Sequence, residues 1–149
     1  MKLLNIEKAL DDQKTVFIQT VGVSMQPMLR ERESTVVIEK PGKRLSRGDV
    51  ALFRRPDGQY VLHRVIRARR QDYLLRGDNC LGCESIRENM IVGVMKGFFP
   101  KIDSEFIPAS DKKYLRYVKT LPLRYMIRRI KWALALPVQK IKKIIRSMR

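Results

Sequence analysis

Ser24 stands in the stretch VGVSMQPML, residues 21–29, with Gly22 two residues before it and Pro27 three residues after it. A serine hydroxyl becomes a useful nucleophile only when a neighbouring base takes its proton. The chain has one histidine, His63, in the segment YVLHRV. Two carboxylates follow it: Asp78 in RGDN, and Glu84 six residues further on. Serine, imidazole and carboxylate are the parts of an acyl-transfer site, and their order along the chain is free, because such triads occur in several orders. Each part also has a plainer reading. Serine with glycine and proline is ordinary turn chemistry. A lone histidine between valines is commonly a core or edge residue with satisfied hydrogen bonds. Asp78 stands at a strand end, where a carboxylate could orient an imidazole, and Glu84 lies in the same loop.

The elements that must position these groups are mostly strands. Residues 3–12 (LLNIEKALDD) read as a short helix with Leu3, Ile6 and Leu10 on one face. TVFIQTV reads as a strand leading into the Ser24 segment, and STVVIEK as a strand closed by the turn PGK. GDVALFRR and QYVLHRVIRARR are two strands joined by PDG, a strong turn signal. Alternation puts Val61, His63 and Val65 on one face of the second, and Tyr60, Leu62, Arg64 and Ile66 on the other. DYLLRGD is a further strand, SIREN a helical turn, and MIVGVMKGFF a long strand bent at Gly93 or Gly97. Several short strands at regular spacing predict a mainly β body, a small barrel or sandwich. The expected organisation is an N-terminal helix over 1–14, a β domain over 15–108 and a helical tail over 109–149.

Charge separates that tail from the body. The net charge is +17, yet no acidic residue follows Asp111, and the 13 lysines and arginines from Lys112 onward leave only +4 on residues 1–111. Leu123, Met126, Ile127, Ile130 and Leu134 recur at helical spacing, as do Val138, Ile141, Ile144, Ile145 and Met148. Pro122 and Pro137 are expected to break or kink the pattern. A basic amphipathic helix with Trp132 and leucines on its apolar side is the pattern of a helix lying in a membrane surface. Folding back onto the β body is the alternative. Nucleic acid is the weakest reading, because the body offers no evident aromatic stacking platforms. No stretch reaches the ~20 apolar residues of a membrane span, and the N-terminal residues do not have the pattern of a signal peptide. Cys80 and Cys83, in CLGC, are too few for a structural zinc site, which takes four ligands. They read as a reduced pair in a loop, and no cofactor or metal is expected.

Five segments, VGVSMQPML, RGDVALFRR, YVLHRVI, LLRGDN and IVGVMKGFF, follow one another in an order that resembles the type I signal peptidases and the related LexA-like self-cleaving peptidases. The resemblance covers roughly residues 15–100. Bacterial signal peptidases and LexA-like proteins use a lysine base. The endoplasmic-reticulum type carries His-Arg there, and His63-Arg64 is similar to that type. The resemblance implies Ser24 as nucleophile, His63 as base, and Asp78 as the favoured acid through the Gly-Asp-Asn match. Glu84 stands as the alternative, where those enzymes have a second aspartate. It implies an oxyanion donor in the Ser24 N–H, with Gly22 at a position that carries a hydroxyl in many relatives. Met25 and Pro27 would shape the turn and line the substrate cleft. The expected function is a serine endopeptidase cleaving a signal or leader peptide from a precursor, with small residues before the cut. The expected location is peripheral, on the cytoplasmic face of a membrane, held by the tail on anionic lipid. The competing class is an inactive β module tethered to lipid or RNA.

Overall fold

The computed structural model describes residues 6–147, with side chains through Ala135. Leu3 and Met148 lie outside the described residues, as do the side chains of Val138, Ile141, Ile144 and Ile145. The elements run α1 (Ile6–Gln13), β1 (Thr15–Gln19), β2 (Thr35–Glu39), β3 (Val50–Arg54), β4 (Tyr60–Ala68), β5 (Asp72–Arg76), β6 (Glu84–Arg87), a 3-10 turn (Glu88–Met90), β7 (Ile91–Phe99), β8 (Ile107–Pro108) and α2 (Lys112–Ser147).

The β-branched and aromatic runs form strands, and turn residues close them. The β3–β4 hairpin shows how. Arg54 pairs with Tyr60, Gly58 takes the positive φ of 86° that the turn requires, and the Asp57 carboxylate accepts the Gln59 N–H at 3.0 Å. SIREN differs from expectation: Ser85–Arg87 belong to β6 and only the last residues turn. There the pairing of Tyr73 with Ile86 across β5 and β6 buries Ile86, and this tertiary gain outweighs local helix preference.

All eight strands belong to one antiparallel sheet in the order β1-β2-β7-β3-β4-β5-β6, with β8 beside β7. The expected closed barrel or two-sheet sandwich is therefore corrected to an open sheet whose outer strands, β1 and β6, are not paired with each other. The physical reason lies in β7. It pairs with β2 along one edge, and with β3 and β8 in succession along the other. Register shifts at Val37/Ile38 and Leu52/Phe53 bend the ladder near Gly97 and Gly93. At Gly97 a Cβ would meet the Phe106 ring at 2.3 Å and the Ile107 carbonyl at 2.5 Å, so only glycine lets β8 approach.

Two apolar clusters line the sheet. One gathers Leu10 of α1, Met25 and Leu29 of the Ser24 segment, Val36, Ile38, Val50, Leu52, Met95 and Phe98 of the strands, and Tyr114 of α2. The other gathers Leu45, Ala51, Phe53, Val65, Tyr73, Leu75, Ile86 and Val94. Alternation along β4 is as expected: Tyr60 and Leu62 join the first cluster, Val61 and Val65 the second. Two helices and a loop, not a second sheet, therefore cover the first face.

The tail begins where Asp111 caps it. Its Oδ1 accepts the Lys113 and Tyr114 N–H groups at 2.7 and 3.0 Å. Pro122 and Pro137 do not break α2, which is continuous across both. Buried Tyr114, Leu121 and Tyr125 clamp the helix to the body on both sides of Pro122, and such packing offsets a propensity penalty of ~3 kcal/mol. The expected boundary near residue 109 is thus one of composition, not of packing. No helix among the described residues is long and apolar enough to cross a membrane.

Candidate active site

Ser24 lies at the start of a compact turn between β1 and β2. The Gln26 N–H donates to Val23 O at 3.2 Å and the Leu29 N–H to Met25 O at 3.1 Å. Buried Met25 and Leu29 pin the turn into the apolar cluster, while Ser24 stays partly exposed. The turn is also clamped from outside. Asn79 donates its backbone N–H to Ser24 O at 2.7 Å and its side-chain amide to Val23 O at 3.1 Å. Among the described residues the Ser24 N–H has no acceptor, so it is available as an oxyanion donor. The Thr20 hydroxyl is committed to Arg30 O and Ser34 O, at 2.7 and 3.1 Å. Gly22 sits at φ +86° with open space about its Cα and contributes no side-chain donor.

His63 reaches the same place from β4. It pairs across the ladder with Ala51, whose methyl leaves room beside the imidazole, and its ring lies 5.9 Å from the Phe53 ring. The side chain is almost wholly buried. Gly77 joins the serine turn to the imidazole. A Cβ there would lie 2.6 Å from Ser24 O, 2.8 Å from Cys80 Sγ and 3.1 Å from His63 Nε2. The RGDN glycine is therefore the residue whose missing side chain lets the serine turn approach the imidazole.

On the other ring edge, Glu84 Oε1 lies 3.1 Å from Nδ1. The oxygen is off the axis of the Nδ1–H bond, so Nδ1 makes no well-aligned hydrogen bond, and the contact is electrostatic. Glu84 is itself held by Arg55, whose Nε donates at 3.0 Å and whose Nη2 donates at 2.7 Å. Burial lowers the His63 pKa below its ordinary value. Glu84 pulls upward, Arg55 pushes downward, Asp78 pulls upward more weakly, and the net shift is down. The imidazole is accordingly neutral at neutral pH, the form a general base needs.

Asp78 does something else. The expectation that favoured it as the carboxylate beside His63 is corrected: its oxygens accept from Arg64, at 2.8 Å from Nε and 2.7 Å from Nη2. Both side chains are essentially excluded from water. Alternation explains the difference, since His63 and Arg64 are adjacent on one strand and face opposite ways. The same carboxylate accepts from the Tyr117 hydroxyl at 3.0 Å. Arg64 donates from Nη1 to Tyr114 Oη and to Gly48 O, both at 2.8 Å. Arg128 donates to the Asp78 carbonyl at 2.8 Å. Burial works against the Arg64 charge, and Asp78 more than offsets it, so the Arg64 pKa is raised. Burial and the Asp78 charge both push the Tyr117 hydroxyl well up.

Ser24, His63 and Glu84 line one cleft of about 670 Å3, with Met25, Arg55, Cys80 and Cys83 around them and Ile18, Val36 and Leu52 as its apolar floor. Met25 sits as expected. Pro27, expected to line the cleft, opens instead onto a separate depression beside Phe98 and Tyr114. Both cysteines are free thiols.

Sequence reasoning missed Arg55, Asn79 and the α2 side chains that clamp Asp78. Asn79 was visible as the last residue of the Gly-Asp-Asn match. Arg55 carried no signal, since nothing local ties the end of β3 to the start of β6. Comparison with protein-family models, with curated proteins and with solved structures finds no match for this chain.

Proposed function

We propose that this protein is a serine endopeptidase in which Ser24 is the nucleophile, His63 the general base and Glu84 the carboxylate that supports it. The observation that carries the reading is the position of His63. Its Nε2 faces the residue that abuts the serine turn, and its Nδ1 faces a carboxylate. The tautomer protonated on Nδ1 is the one Glu84 favours, which leaves Nε2 free to accept a proton. Ser24 Oγ would attack a peptide carbonyl as His63 Nε2 takes the hydroxyl proton. The Ser24 N–H would stabilise the oxyanion. The imidazolium, steadied by Glu84, would return the proton to the leaving amine, and water would then release the acyl group by the same steps.

The resemblance to histidine-type signal peptidases extends this reading to signal or leader peptides as substrates. The cleft's apolar floor agrees with an extended peptide carrying small or apolar residues before the cut.

The test is to incubate the purified chain with a proteome-derived peptide library and to sequence the new N-termini. Wild type should create a defined set with a consistent residue before the cut. Ser24→Ala should create none above background, with a melting temperature like wild type. His63→Ala, which truncates a buried side chain, should melt lower but remain folded at the assay temperature, and removal of the general base alone should cost ~10²–10⁴-fold in rate. No new termini from wild type, or the same termini from Ser24→Ala, would show that the serine turn is structural and the site inactive.

A further inference from the structure

Helix α2 has two unlike faces. Tyr114, Leu121 and Tyr125 are buried against the body, with Val118 packed beside them. Their polar atoms extend that contact: Tyr117 and Arg128 bond to Asp78, and the Arg76 guanidinium stacks on the Tyr125 ring at 3.3 Å. Leu123, Met126, Ile127, Ile130 and Leu134 point the other way, and all five are exposed, from 43% at Ile127 to 68% at Leu134. Spaced three and four apart, they form one stripe on the side of the helix away from the body. Trp132 is not on it. It stands seven residues after Tyr125, continues the docked line, and is exposed.

A globular chain does not leave five large aliphatic side chains in a row in water without an occupant for them. Charge selects the occupant. Arg116, Lys119, Arg124, Arg129 and Lys131 flank the stripe and are all exposed. From Lys112 to Ala135 the helix has eight lysines and arginines and no acidic residue. A second copy of the chain would bring two such rows of cations together, within a net charge of +17 each. An RNA would satisfy the cations and leave the aliphatic stripe in water. An anionic lipid surface satisfies both, with side chains entering the acyl boundary and cations resting among the headgroups.

We propose that the outer face of α2 is a seat for an anionic bilayer, formed by Leu123, Met126, Ile127, Ile130 and Leu134, while the inner face holds the β body. The helix would lie along the membrane plane. The proposal stands independently of the peptidase reading, because it uses neither the cleft nor its residues.

The experiment is sedimentation of the full chain with vesicles of phosphatidylcholine, with and without phosphatidylglycerol, across a salt series. The variants are Ile127→Glu with Ile130→Glu, and Lys119→Gln with Arg129→Gln and Lys131→Gln. Wild type should bind only the anionic vesicles. Salt should weaken that binding and leave a resistant fraction. The glutamate pair should lose at least tenfold in affinity, and the glutamine set should lose salt-sensitive affinity. Both variants replace exposed side chains, so their thermal unfolding should match wild type, and vesicle binding is scored only for chains that unfold so. If a variant unfolds early, Ile127→Gln with Ile130→Gln replaces the glutamate pair and carries the same expectation. Three results would overturn the proposal. One is equal binding of wild type and the glutamate pair. Another is no binding of wild type to anionic vesicles. The third is a wild-type dimer, seen by analytical ultracentrifugation, that the glutamate pair dissolves. Retention of a single-stranded RNA by the glutamate pair, with no vesicle binding by wild type, would identify a nucleic-acid surface instead.

Discussion

At the residue scale, the two carboxylates near β4 do different work, and the structure separates them. Glu84 stands beside His63 and is partly exposed, with Arg55 on its far side. Asp78 is wholly buried against Arg64. Glu84→Gln should therefore lower kcat while moving the unfolding midpoint little. Asp78→Asn should act first on stability, because it leaves the Arg64 guanidinium buried and uncompensated, a loss of about 3–5 kcal/mol, read by denaturant unfolding. The pH dependence follows from His63. Its pKa lies below the ordinary 6.5, and in the proposed mechanism the neutral form is the base, so kcat/KM should be flat at neutral pH and fall on an acid limb with its midpoint under that value. Glu84→Gln removes an upward pull and leaves the Arg55 push, so the limb should move to still lower pH. Stability has the same sign. The unfolded chain binds the proton more readily, so the contribution is whole above about pH 6.5 and is lost as pH falls through the folded value. Gly77→Ala should abolish activity, since its methyl would fall 2.6 Å from a backbone oxygen, which cannot rotate away as a side chain could.

At the element scale, α2 is part of the body as far as Arg128, and the Asp78 loop hangs from it. Tyr114→Phe removes the hydroxyl that accepts from Arg64, and Tyr117→Phe the one that donates to Asp78. Each should cost about 1–3 kcal/mol, since a buried polar group loses its partner. The Tyr117 change should also loosen the loop that carries Asn79, and with it the serine turn. Cleavage should then fall by more than the small unfolded fraction explains, which kinetics well below the melting temperature would show.

At the scale of the whole molecule, body and tail should unfold together. Buried Tyr114, Leu121 and Tyr125 join the helix to the sheet, so helix loss by far-ultraviolet dichroism and tertiary loss by near-ultraviolet dichroism should share one midpoint. Two separate transitions would mean that the +13 tail is an independent unit, as its composition alone suggests.

Local pattern determined much of this protein. β-branched runs and turn residues placed six of the eight strands within a residue or two, because those signals act over neighbours, while β6 read as a helical turn. Ser24, His63 and Glu84 were visible as candidates through side-chain chemistry, and the polycationic tail through charge. The short pairing of β8 with β7 was not visible, since a two-residue strand has no period. Nor was the choice between Asp78 and Glu84, which depends on which strand edges meet. Arg64 points to one carboxylate and His63 to the other because neighbours on a strand face opposite sides. The faces of α2 were decided in the same way. Its apolar positions run around more than one side of the helix, and only docking through Tyr114, Leu121 and Tyr125 determines which of them water still sees.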